Sequence, residues 1–147
     1  MENKLGLAER RALKEYQDNF YPAIEAGIKK AANFDVEVFV KWEEIAKPEQ
    51  GPVYGDDQYW GITIFKPLIK ALQDVTIDEM GKEALKANLK QIVIMHDEAT
   101  APASNYPNGV SFEEGVLIIN FTPYSNADEY HFPERVSAIK SLVESKI

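Results

Sequence analysis

Apolar residues recur every three or four positions from about Leu7 to Ala32, where Leu13, Tyr16, Phe20, Ile24, Ile28 and Ala31 fall on one face of a helix. Pro22 interrupts the run, because its ring would strike the carbonyl of Asp18. The pattern therefore predicts a kink, or two short helices with Pro22 in the first turn of the second. The period then shortens to two. Val36, Val38, Val40 and Trp42 alternate with Glu37, Phe39 and Lys41, which predicts a strand with one wet face, although Phe39 implies partial cover there.

Pro48, Gly51, Pro52 and Gly55 mark residues 43–58 as a loop. The next stretch, 59–75, fits two periods. Trp60, Ile64, Leu68, Leu72 and Val75 make a helical stripe with Asp56 or Asp57 as its cap, whereas Trp60, Ile62 and Ile64 fit a strand face. Gly61, Thr63 and Pro67 weaken an uninterrupted helix, yet the helical pattern runs longer and is preferred. Thr76 with Glu79 three residues later has the form of a capping box, opening a helix to about Lys90 with Ile77, Met80, Ala84, Leu85 and Leu89 buried.

Residues 91–95 are a short β-branched strand, and the polar, proline-containing stretch 97–109 reads as a mobile loop. Two apolar runs, 110–112 and 116–121, flank Glu113-Glu114-Gly115, a hairpin signal with glycine available for a positive φ. Residues 133–146 close the chain as a helix with Val136, Ile139, Leu142 and Val143 inward. This order contains no repeated βαβ unit and no linker. It predicts one α+β domain over residues 1–147: a mainly antiparallel sheet of about four strands, with helices packed on one face.

Composition narrows the function classes. The 147 residues carry 24 acidic and 16 basic side chains, a formal charge of −8. A negative field of this size repels nucleic acid and anionic lipid and favours cationic partners or plain solubility. There is no cysteine, which removes disulfides, thiolate metal sites and thiol nucleophiles. The first eleven residues have no apolar run behind their basic residues, and the longest strongly apolar stretch, 116–121, is far too short to span a bilayer. A cytoplasmic location without membrane partners is the expectation.

Three groups of residues could carry chemistry. The two histidines, His96 and His131, are the natural proton carriers near neutral pH, and they would suit a metal only if they converged with a carboxylate. Acidic doublets fall at predicted junctions: Glu43-Glu44, Asp56-Asp57, Asp78-Glu79, Asp97-Glu98, Glu113-Glu114 and Asp128-Glu129. Carboxylates favour helix starts and turns on their own account, but a rim of them would also draw a basic partner. Tyr54, Tyr59, Tyr106, Tyr124 and Tyr130 lie in or beside predicted loops, where tyrosine offers contact area at low entropic cost. Trp42 and Trp60 are expected in the core.

Phosphate-cradling glycine loops, a serine nucleophile elbow, a zinc-protease histidine pair and an EF-hand loop are all missing from the sequence. The balance favours a small protein-binding domain (an adaptor, inhibitor or immunity-type protein) without a cofactor. Its expected docking residues are Tyr54, Asp56, Asp57, Asp97, Glu98, Tyr106, Tyr124, Asp128, Glu129 and Tyr130. The partner would be a protein, with a basic one favoured, and a homo-oligomer is also open. The alternative is a small hydrolase or isomerase using His96 or His131 with loop carboxylates, with or without a metal.

Overall fold

The computed structural model describes residues 5–54, 57–124 and 126–147, with the main chain alone at residues 49, 52, 53, 57 and 58. The first helical run divides as its proline dictates: α1 spans Leu7–Asn19 and α2 spans Tyr21–Ala32, with Pro22 in the first turn of α2. Asn33 ends α2 in the left-handed conformation at φ 67°, which an asparagine tolerates better than most side chains.

Within residues 43–54 the chain is helical where a loop was expected. A one-turn helix α3, Trp42–Ile45, is followed by a 3-10 helix, Pro48–Val53. From Asp57–Phe65 the chain winds as a π-helix and runs directly into α4, Lys66–Val75, so the helical alternative for 59–75 holds. Pro67 supplies a reason for the wide turns. In a tight α-turn its ring would meet the Thr63 carbonyl, and it offers no N–H in return. The Thr63 hydroxyl lies 2.6 Å from the Tyr59 carbonyl and 3.1 Å from that of Pro123, covering oxygens that the widened ladder leaves open.

Helix α5, Glu79–Asn88, starts one residue pair later than the capping-box pattern implies. Asp78 is its cap and accepts the Gly81 N–H at 2.8 Å. Thr76 instead closes α4, its hydroxyl within 2.7 Å of the Ala31 carbonyl and 2.9 Å of that of Leu72. Ile77 and Met80 consequently lie at a helix junction and are exposed rather than part of a buried stripe.

Among the described residues four strands form one sheet: β1 (Glu37–Val40), β2 (Gln91–Ile94), β3 (Val110–Glu113) and β4 (Val116–Ile119), in spatial order β1-β2-β4-β3. The fold is α+β, but the sheet is mixed and mostly parallel, which corrects the antiparallel expectation. The helices between β1 and β2 form a crossover that returns the chain to the start of the sheet, so β2 runs parallel to β1. Only the hairpin β3–β4 is antiparallel. Its two-residue loop has Glu114 at φ 53° and Gly115 at φ 84°, the paired positive values that match strand twist.

Paired residues share a face. Val38, Ile92, Leu117 and Phe112 form one inward row, and Val40, Ile94, Ile119 and Val110 the next. These rows join one core with Ile28, Trp60, Ile64, Phe65, Leu68, Leu72, Leu85, Ile139 and Val143. The closing helix α6, Phe132–Lys146, packs on α4 and on β3. Among the described residues no helix is long and apolar enough to cross a membrane.

Two glycines are fixed by these geometries. A Cβ at Gly115 would require left-handed backbone against the Lys90 side chain at 2.9 Å, and one at Gly81 would stand 1.8 Å from the Val75 carbonyl oxygen. Gly115→Ala is expected to cost about 1–2 kcal/mol. Gly81→Ala should cost about 2–3 kcal/mol, because main chain must move. Urea unfolding of the two variants checks both values and their order.

Candidate functional site

Parallel strands send their following loops to the same edge of the sheet, and ligands of open α/β sheets gather there. Residues 41–47 leave β1 at this edge and residues 120–131 leave β4 there. The segment 95–109 leaves β2 and passes over the end of β4 to reach β3. The carboxyl edge therefore collects His96, Lys47, Tyr124, Tyr106, Arg135 and three acidic doublets: Glu43-Glu44, Asp97-Glu98 and Asp128-Glu129. The Glu113-Glu114 turn lies at the opposite edge, and Asp78-Glu79 opens α5.

Side-chain hydrogen bonds fasten these loops to one another. The Trp60 indole N–H donates to the Tyr124 hydroxyl at 3.0 Å, and that hydroxyl donates to the Ile45 carbonyl at 2.9 Å. Burial pushes the Tyr124 phenol up to about 12, so it remains a protonated donor. Tyr54 donates to the Lys47 carbonyl and stacks on Trp60 at 4.9 Å between centroids. Asn120 accepts the Asp97 N–H at 2.9 Å and reaches the Thr100 hydroxyl at 3.0 Å, and Asn126 donates to the Ala103 carbonyl at 2.8 Å. Asp97 itself accepts the Ala99 N–H at 3.0 Å. The segment 97–109 is thus hydrogen-bonded at several points to the loop that follows β4.

His96 is central to this arrangement. Only 7% of it is exposed, its main-chain N–H donates to the Glu44 carboxylate at 3.2 Å, and its Nδ1 is buried without a hydrogen-bond partner among the described residues. Lys47 lies beside it and is ion-paired with Glu98. Burial, then the Lys47 charge, holds the His96 ring below its ordinary value near 6.5, so the ring is neutral at pH 7. Lys47 in turn holds the Glu98 carboxyl below the usual carboxylate range.

His131 belongs to a different group. It faces Asp128 at 2.8 Å and meets the rings of Tyr106 and Tyr130 edge-on. The hydrogen bonds to His131 hold the Asp128 carboxyl low. Arg135, 1% exposed, lays its guanidinium 4.6 Å over the Tyr106 ring and donates to the Asn126 carbonyl at 2.9 Å. His96 and His131 share none of these partners. Among the described residues no group of three or more His, Asp or Glu is arranged to hold a metal ion.

The expected docking residues separate accordingly. Asp97, Glu98, Asp128, Glu129 and Tyr130 are exposed at the carboxyl edge, Tyr130 by 80%. Tyr54 and Tyr106 are buried, which corrects their expected exposure: their rings are taken up by the aromatic core and by Arg135. Tyr124 is half-buried and spends its hydroxyl on the main chain. Asp56 lies outside the described residues, and Asp57 is described by its main chain alone. Trp60 is fully buried, as expected, whereas Trp42 is partly buried and packs against the core from outside it. Lys47, Asn120 and Arg135 were not legible as site residues. A lone lysine, asparagine or helical arginine carries no spacing signal.

Comparison with protein-family models, with characterised proteins and with solved structures finds no match to this chain.

The lowered His96 ring has a consequence for stability. The unfolded ring takes up a proton below about 6.5 while the folded one resists it, so protonation favours unfolding. The stabilisation is complete above pH 6.5 and is lost as pH falls toward the folded value. The melting temperature should drop between pH 7 and pH 5, and His96→Gln should flatten that drop. Thermal melts of both proteins across this range test it.

Proposed function

We propose that the chain is a protein-binding unit that docks a cationic partner on its acidic carboxyl edge, as an adaptor or a stoichiometric inhibitor would. The observation that carries this reading is the convergence of three acidic doublets, distant in sequence, on one edge beside the exposed Tyr130. The net charge of −8 adds a field of the same sign. Cross-links between the loops support it further, since a surface already ordered loses less entropy on binding. Charge reading of this kind speeds encounter and is screened by salt over roughly 8–10 Å at ordinary ionic strength.

A low-salt pulldown with the native chain is expected to recover a stoichiometric cationic protein that is released by 0.5 M salt. The combined Glu43→Gln, Glu98→Gln and Glu129→Gln variant should lose it. Glu113→Gln with Glu114→Gln, at the other edge, should retain it. Equal retention by both variants would remove the proposal.

A histidine-centred reaction is the second reading, favoured by one feature: the neutral His96 ring, whose Nδ1 is buried without a hydrogen-bond partner among the described residues, beside Lys47. That nitrogen is closed to solvent, so a substrate reaches it only when the surrounding side chains move. In this reading, hydrolysis or isomerisation found with the native chain disappears in His96→Gln and survives in His131→Gln. Loss in both variants, or in neither, counts against it.

A further inference from the structure

The middle of the sheet's outward face is apolar, and the described residues leave it partly exposed. Its central row is Phe39, Val93, Ile118 and Ser111 across β1, β2, β4 and β3. Phe39 is 50% exposed, and Val93, Ile118 and Val116 are only half-buried. None of these four apolar residues belongs to the core or to the apolar shell packed against it. Parallel strands are ordinarily covered on both faces. Here the second cover is missing from the chain as described.

Charge on the flanking rows indicates what the cover is. Toward the start of β1 the outward row begins with Glu37, and one row beyond Phe39 stands Lys41, whose N–H continues the ladder to the Ile94 carbonyl. Neither Glu37 nor Lys41 has an ion-pair partner among the described residues. Glu113, at the far edge of the Glu37 row, is already paired with Lys146.

We infer that a second copy of this chain covers the face, with a two-fold axis running across the strands along the Phe39–Val93–Ile118 row. Rotation about that axis keeps each strand over its own counterpart and reverses its direction. Phe39 then meets Phe39 of the second copy, and each Glu37 faces Lys41 of the other, twice per dimer by symmetry. Stacked sheets lie about 10 Å apart, a gap that glutamate and lysine side chains span together. The alternative axis, along the strands, would set Glu37 over Glu113 and is disfavoured by like charge. Four strands at about 4.8 Å and three rows at about 6.7 Å give a footprint of about 400 Å² per copy. The two copies together bury about 800 Å², below the roughly 1,200 Å² at which stable interfaces begin, so the dimer is weak and reversible. This face is separate from the acidic loops, and the inference does not depend on what they bind.

Sedimentation velocity from about 5 μM to about 1 mM tests it, with circular dichroism to verify that each variant is folded. The native chain is expected to pass from monomer to dimer in the range of roughly 10–500 μM. Phe39→Asp should weaken association at least about tenfold. Glu37→Lys and Lys41→Glu should each weaken it several-fold, and the double swap should restore it to within about twofold, because each new lysine faces a new glutamate. A monomer throughout the range overturns the inference. So does a dimer indifferent to Phe39→Asp, or one that the double swap leaves as weak as the single variants.

Discussion

The buried Trp60 indole is the tie on which the carboxyl edge of the sheet depends. Its ring stacks on Tyr54 and meets Tyr16 edge-on at 4.8 Å, which joins the π-helix to α1 and to the segment before it. Its N–H continues through the Tyr124 hydroxyl to the Ile45 carbonyl, which joins the loops that follow β4 and β1. Aromatic contacts of this kind contribute about 0.5–1.5 kcal/mol each beyond their buried area, and a buried N–H without an acceptor would cost about 1–3 kcal/mol. A residue of lesser size, or one without a donor, would leave the Tyr124–Ile45 bond between the two loops without its tie to the core.

Direction of the strands decides what those loops carry. Because β1, β2 and β4 are parallel, Glu44, His96 and Asn120 follow strands that end at the same edge. Like charges brought together there repel one another. Several are held by local partners: Glu98 by Lys47, Asp128 by His131, and Glu44 by the His96 main chain. The exposed remainder gives the edge its negative field. Burial of His96 beside a lysine follows from the same convergence, and it keeps the ring uncharged where a proton would add to the Lys47 cation.

Periodicity and local stereochemistry made much of the fold legible. Pro22 divided α1 from α2, the alternation from Val36 marked β1, and Gly115 marked the hairpin. Errors came where contact between distant residues outweighed local pattern. Thr76 looked like a cap because Glu79 follows it at the right spacing, yet the Ala31 carbonyl, 45 residues away, holds its hydroxyl. Tyr54 and Tyr106 looked exposed because glycine and proline surround them, yet Trp60 and Arg135 enclose their rings. Ile77 and Met80 looked buried because they are apolar at helical spacing, although they fall at the corner between two helices.

The sequence by itself determined the mixture of helix and strand, the position of most element boundaries, the charge and the poverty of proton-carrying side chains. Each of these depends on neighbours within a few residues or on composition alone. Tertiary structure alone decided that β2 and β4 run parallel to β1, that three acidic loops share an edge, and that His96 is buried while His131 stands with other partners. Pairing between strands about fifty residues apart depends on how the intervening helices pack, and no short-range pattern records that choice.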